Sequence, residues 1–313
     1  MTVLDALDLG LALLVLGVAA WTIAAREVFG AVVGYVAYGV LLAIVWVRIY
    51  APDVALTEAA IGSGVTGVLI VVASKRLGRL PRTAAAPGAG LKLAAGALSA
   101  LVACVVAAAV LALPDPAPSL APEADRHLAE TGLGNAVTAV LIAWRSFDTM
   151  LEKVVLVLAV VGVWSVAPDR FWGGRPAPLG PAAPDPALVF LARILAPIGM
   201  VIGVQMFWVG ADDPGGAFQG GAILAAMWMI VMMARLTEPP RIGSRRLRLA
   251  LIAGPAVFLV AGLLGPVMAG GFFAYPSGFA KPIILFIEAF MVLSIAVTLP
   301  LLVAGPPSQE GGR

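Results

Sequence analysis

Apolar runs of roughly twenty residues recur nine times along this sequence, at about 3–24, 28–50, 53–73, 91–113, 151–167, 188–209, 218–235, 249–271 and 281–303. At ~1.5 Å per residue, such runs are long enough to cross a hydrocarbon core of about 30 Å. The fifth run is shorter than the others and opens on Glu152 and Lys153. Only 12% of the 313 residues are charged and 61% are hydrophobic, and the mean hydropathy is +1.01. No water-soluble domain has such a composition. The predicted fold class is all-α: a polytopic integral membrane protein of about nine transmembrane helices plus one extracytoplasmic amphipathic helix.

Basic residues orient these spans. Lys75, Arg76, Arg79, Arg82 and Lys92 lie between the third and fourth runs. Arg170 and Arg175 lie between the fifth and sixth. Arg241, Arg245, Arg246 and Arg248, with Arg235 at the edge, lie between the seventh and eighth. With nine spans all three connections fall on one side, and the positive-inside rule makes that side cytoplasmic. The N-terminus is then expected outside and the C-terminus in the cytoplasm. Asp5 and Asp8, with no basic stretch ahead of the first run, argue against a cleaved signal peptide.

Two Pro/Ala-rich connections, Pro81–Gly90 and Pro168–Pro186, read as flexible cytoplasmic linkers. They divide the chain into modules of three, two and four spans: residues 1–80, 91–167 and 187–305. Between the fourth and fifth spans lies a polar segment, PDPAPSLAPEADRHLAETG, which reads as irregular. After it, Val137, Val140, Leu141 and Trp144 recur at i, i+3, i+4 and i+7, the spacing of an amphipathic helix lying at the membrane interface. That helix is expected over residues 135–148, with Asn135 as N-cap. Arg145 and Asp148, three apart, are expected to pair on one face.

Ionisable residues stand out in four places. Glu58 lies inside the third span, in PDVALTEAAIGSGVTGVLIVVA. A charged carboxylate in a span costs roughly 3 kcal/mol or more, so its presence marks a functional candidate. Two readings are open: a carboxylate that takes up and releases protons, or one near a helix end that reaches to the interface. Gly62, Gly64 and Gly67 follow it and invite a bulge or a close helix contact. Glu152 and Lys153 open the fifth span. As neighbours in sequence they are expected to point to different faces, not to neutralise each other directly and to need partners on other helices, unless they are an ordinary interfacial pair. In the ninth span Lys281 and Glu288 are both ion- or proton-transfer candidates, Glu288 about 10 Å deeper and on the same helix face. The readings for Glu288 are ion transfer or pairing for packing alone. In the loop GADDPGGAFQGG, residues 210–221, Asp212 and Asp213 are hard oxygen ligands suited to a cation, unless the loop is only a structural turn.

Other chemistries find no support. The lone Cys104 excludes an intrachain disulfide and a cysteine-built metal site, and the lone His127 lies in a polar segment. There is no phosphate loop, no nucleophile–base constellation, no haem-binding pair and no nucleic-acid-binding patch. No enzymatic activity, cofactor or metal is expected.

Three stretches together resemble the Mrp-type multisubunit cation/proton antiporters, relatives of respiratory complex I and membrane-bound hydrogenases. APDVALTEAAIGSGVTGVLIV is similar to the MbhD-like module near the C-terminus of MrpA, which also has a counterpart in complex I. NAVTAVLIAWRSFDTMLEKVVLVLAVVGVWS is similar to the MbhE-like module that follows it, with Arg145, Phe147, Asp148, Thr149 and Glu152 in its pattern. RILAPIGMVIGVQMFWVGADDPGGAFQGGAILA is similar to MrpB. Two places depart from the MrpB pattern: Ala217 stands where the last glycine of its P-G-G-G-F turn is usual, and Gly210, Ala211 and Asp212 stand where Gly-His-Asn is common. The long antiporter-like half of MrpA is absent from the resemblance, so no discontinuous-helix channel is expected in this chain. The resemblance implies a connecting subunit of a complex in the cytoplasmic membrane of a bacterium or archaeon, exchanging Na⁺ for H⁺. Its partners would be MrpA/MrpD-type, MrpC, MrpE, MrpF and MrpG-type subunits and membrane lipid. Glu58 would be the glutamate of the MbhD-like module and Glu152 that of the MbhE-like one. The alternative is a structural connector in a complex I-like, hydrogenase-like or carbon-uptake assembly.

Overall fold

The computed structural model describes residues 3–77, 88–116 and 118–308. Among these the regular secondary structure is helical, apart from one isolated bridge between Pro176 and Pro307. The helices are α1 (Val3–Ala24), α2 (Val28–Arg48), α3 (Pro52–Thr57), α4 (Thr66–Leu77), α5 (Ala89–Leu111), α6 (Ala121–Thr131), α7 (Ala136–Ala139), α8 (Ser146–Ser165), α9 (Pro186–Val209), α10 (Ala217–Met233), α11 (Arg245–Ala269) and α12 (Ala280–Ala304). Seven helical stretches are long and apolar enough to cross a membrane, and α10 is a shorter apolar helix. The chain is a multi-pass membrane protein.

α3 and α4 are joined without interruption by a π-helix, Glu58–Val65. It starts at Glu58 and contains Gly62 and Gly64, so the bulge expected of the glycine-rich stretch is present. Gly39 of α2 comes so near that a methyl group on it would sit 3.0 Å from the Ser63 amide nitrogen. Small residues let backbones approach closely where lipid offers no hydrophobic drive.

α12 is the central element of the C-terminal part. It packs against α8, α9, α10 and α11, and half of its most apolar window is buried, against none for α1 and α5. Ile284, Ile287, Met291 and Ile295 are its inward anchors. The approach of α10 depends on Gly221, where a Cβ would overlap the Ile295 side chain. α5 buries nothing against the chain; a helix apolar on all faces is compatible with lipid around it.

Three expectations are corrected. The segment ahead of the amphipathic stretch is not irregular throughout, because α6 forms there. Pro122 in its first turn, left-handed Gly132 just past its end and pairs of Glu123 with Arg126 and His127 are local helix signals that outweigh the polar composition. Residues 135–148 are not one helix. Asn135 does cap α7, accepting from the Val137 amide at 2.8 Å. A π-turn over Val140–Trp144 follows, and the helix breaks at Arg145 (φ −121, ψ 34), after which α8 begins at Ser146. The break is stable because hydroxyls meet the carbonyls it frees: Ser146 and Tyr275 donate to Ile142, and Thr149 to Leu141. The fifth apolar run is therefore preceded by its own helical start.

The third correction is Pro168–Pro186, which is docked rather than flexible. Gly174 and Gly173 carbonyls accept from Ile242 and Gly243, and Arg235 donates to Pro181 and Gly180, each at about 3.0 Å. Arg175 also pairs with Glu238. A Pro/Gly-rich segment offers carbonyls with few amides of its own, and donors elsewhere in the chain take them. Of the other linker, Pro81–Gly90, residues 81–87 lie outside the described residues.

Candidate functional site

The site forms around the turn between α9 and α10. Val209 accepts backbone bonds from Asp212 and Asp213 at 2.9 and 2.8 Å, and the chain reverses into α10 through Gly215 and Gly216. Gly216 has φ +126, a conformation that residues with a Cβ rarely adopt. Gly210 lies so close to Gly216 that a methyl group on it would overlap the backbone there.

Residues from every part of the chain hold this turn. Gly134 and Asn135 amides donate to Ala211 at 3.0 and 3.1 Å, and Thr138 donates to Gly210 at 2.6 Å. Lys281 grips both oxygens of Asp212, at 2.6 and 2.7 Å. Asn135 Nδ2 donates to the Asp213 carbonyl at 3.0 Å and to Asp53 Oδ1 at 3.3 Å. Asp53 Oδ1 also accepts the Gly215 amide at 3.0 Å. One turn further along α3, Thr57 Oγ1 accepts from Gln219 Nε2 at 3.0 Å.

Beneath the turn is a cavity of about 460 Å³ whose polar lining includes Asp53, Thr149, Glu152, Lys153, Gln219 and Glu288. Glu288 is 2% exposed. Its Oε1 accepts the Ala217 amide, at the start of α10, at 3.2 Å, and its Oε2 has no hydrogen-bond partner among the described residues. Lys153 is 3% exposed and lines the same cavity as Glu288. Its ammonium lies 4.7 Å from the centroid of the Phe218 ring, a favourable cation–π contact.

Lys153 also pairs with Glu152 at 2.7 Å, which corrects the expectation that these neighbours cannot neutralise each other. Their Cα–Cβ bonds do diverge around the helix, but the flexible four-carbon lysine stem bends back to the carboxylate.

The predicted site residues thus fall into groups. Glu152, Lys153 and Glu288 share the cavity. Lys281 and Asp212 form a more exposed pair at the turn, with Asp213 beside them. Arg145 and Asp148 pair at 2.8 Å, as their spacing suggested, and are exposed. Glu58 does not line the cavity: its carboxylate folds back over Gly62, where a methyl group would overlap it. Asp212, the candidate cation ligand beside Asp213, is engaged by the Lys281 ammonium. Among the described residues no group of three or more His, Cys, Asp and Glu side chains is placed to hold a metal ion.

Sequence reading missed Asp53, Thr57, Asn135 as a bridging residue, and Gln219. Asp53 and Thr57 are four apart and so share a helix face. That spacing was the available signal, hidden because an acid in a first helical turn is ordinary.

Residues 187–305 match the family described as a domain related to the MnhB subunit of Na⁺/H⁺ antiporter, and residues 13–79 match MbhD, the D subunit of MBH. The chain is a fusion of MbhD-like and MnhB-like modules. The MbhD-like module supplies Asp53, Thr57 and Glu58, and the MnhB-like module supplies Gln219, Lys281 and Glu288. The fusion is 30% identical over 134 residues to a Staphylococcus epidermidis protein named as putative antiporter subunit mnhA2, covering 41% of this chain and 16% of that one. It is 28% identical over 156 residues to an uncharacterized protein of Methanocaldococcus jannaschii, covering 45% and 59%. The chain therefore spans less than two thirds of these relatives. Its fold matches a chain of the Mrp complex from Dietzia sp., with TM-score 0.76, 24% identity, and 96% of this chain and 35% of that one covered. It also matches a chain of the archaeal membrane-bound sulfane sulfur reductase, with TM-score 0.56, 24% identity, and 68% and 97% covered.

Proposed function

We propose that this chain is a connecting subunit of a multisubunit Na⁺/H⁺ antiporter and contributes buried carboxylates to a charged path within the membrane. The observation that carries this reading is the cavity under the α9–α10 turn, which the Glu152–Lys153 ion pair and the buried Glu288 line together. An ionisable group inside a membrane protein is a functional-site candidate by default. The family names attached to the two modules agree with it.

On this reading all nine apolar runs cross the membrane, with the N-terminus outside and the C-terminus in the cytoplasm. The middle part, residues 91–167, is MbhE-like and carries Glu152. Glu58, Glu152, Lys153 and Glu288 take part in transfer, while Lys281–Asp212 and Arg145–Asp148 hold helices and turns in place. The remaining subunits supply the channel-forming helices. The test is Glu288→Gln in the assembled complex. It keeps the side-chain volume and removes the titration, so Na⁺/H⁺ exchange in everted vesicles should fall at least about tenfold with assembly intact. Wild-type exchange would sink the transfer role.

A second reading, a structural connector serving a different engine, is favoured by the fold match to a chain of the sulfane sulfur reductase complex. Under it, Glu288→Gln alters complex stability and leaves exchange unchanged.

A further inference from the structure

Glu58 and Glu288 do not share a cavity, yet a continuous set of bonds joins the helix of one to the donor of the other. Asp53 lies five residues before Glu58, is 8% exposed, and accepts the Gly215 amide with the same oxygen that accepts from Asn135 Nδ2. Two residues after Gly215, the Ala217 amide donates to Glu288 Oε1. Gln219, on the first turn of α10, donates to Thr57 Oγ1 of α3 at 3.0 Å. The three-residue backbone from Gly215 to Ala217 is therefore gripped at one end by Asp53 and at the other by Glu288. Its glycines make it conformationally permissive, so its geometry is set by what holds it.

We propose that Asp53 is a positioning residue. It anchors the Gly215–Ala217 backbone so that the first amide of α10 stays aimed at Glu288, and it ties the Glu58-bearing helix to that arrangement. The inference rests on the reading of Glu288 as a group whose ionisation matters to exchange. A carboxylate whose hydrogen-bond donors change alters its balance between ionised and neutral forms. Disturbing Asp53 should therefore change the pH dependence of exchange, which a merely structural role would not do.

The experiment uses the whole assembled complex in everted vesicles and measures exchange from pH 6 to pH 10. In Asp53→Ala the midpoint of the pH profile should be displaced by about half a unit or more. In Asp53→Asn it should stay close to wild type, because the amide oxygen can still accept from Gly215 and Asn135. Should Asp53→Ala fail to assemble, Asp53→Glu answers instead: it keeps the charge, moves the oxygens by one methylene, and should displace the profile. The proposal is overturned if the profile of Asp53→Ala, or of Asp53→Glu where that stands in, superimposes on wild type. It is also overturned if Asp53→Asn is displaced as far as Asp53→Ala, since charge rather than position would then be acting. Glu288→Gln is measured alongside. If it exchanges at the wild-type rate, the underlying reading falls and takes this one with it. If it is inactive while Asp53→Ala or its stand-in keeps the wild-type profile, only the positioning role falls.

Discussion

Glu58 and Gly62 form a unit at the scale of single residues. The Glu58 carboxylate occupies the space a Gly62 side chain would need, and the π-helix begins at Glu58. Gly62→Ala should drive the carboxylate from its position while leaving the backbone intact, because the obstructing atoms are the far end of a flexible side chain. If Glu58 moves protons, Gly62→Ala and Glu58→Gln should both assemble and both lose most exchange, with Glu58→Asp retaining part of it. Gly10→Ala, where nothing lies within 4 Å, is the control. Wild-type exchange by Glu58→Gln between pH 7 and pH 9 would make Glu58 structural, despite the roughly 3 kcal/mol or more that a charge inside a span costs.

Elements respond to local electrostatics. α6 carries the chain's single histidine, bonded to Glu130 at 2.8 Å and Glu123 at 3.2 Å. The hydrogen bond to Glu130, then its charge, then the bond to Glu123 hold the His127 imidazolium above its ordinary range. A folded-state value raised above the unfolded one means that the contribution to α6 is full below about pH 6.5 and fades as pH rises through the folded value. A single histidine makes the NMR titration unambiguous: the midpoint should lie above 6.5 and should fall in Glu130→Gln. A midpoint at or below 6.5 in the wild-type protein would contradict the α6 geometry. Elsewhere the break at Arg145 shows that an apolar stripe does not by itself fix a continuous helix. Val137, Leu141 and Trp144 do share the exposed face that their spacing implies, yet the hydroxyls of Ser146, Thr149 and Tyr275 decide where the helix stops.

For the whole molecule, the proposed role makes the chain dependent on partners. Purified alone and placed in liposomes it should show no Na⁺/H⁺ exchange under an imposed pH gradient; measurable exchange would refute the connecting role. The proposed orientation puts the Arg241–Arg248 loop in the cytoplasm. Single cysteines placed there should resist membrane-impermeant reagents in intact cells and react in everted vesicles. The opposite pattern would overturn it.

Helicity, the apolar runs and the ionisable residues within them were legible in the sequence, because hydrophobic length and helical period are local properties. The glycine-rich bulge after Glu58 and the Arg145–Asp148 pair were legible for the same reason. What shares a site with what was decided only by the tertiary structure. Asp53 and Gly215 are 162 positions apart, and no periodicity relates them. Lys153 reached Glu152 through a flexible stem that Cα geometry does not predict. The Pro168–Pro186 segment became ordered because donors distant in sequence met its carbonyls. Buried polar groups must find partners, but which partners they find depends on how the helices pack, and that arrangement places Asp53 and Glu288 at opposite ends of one turn.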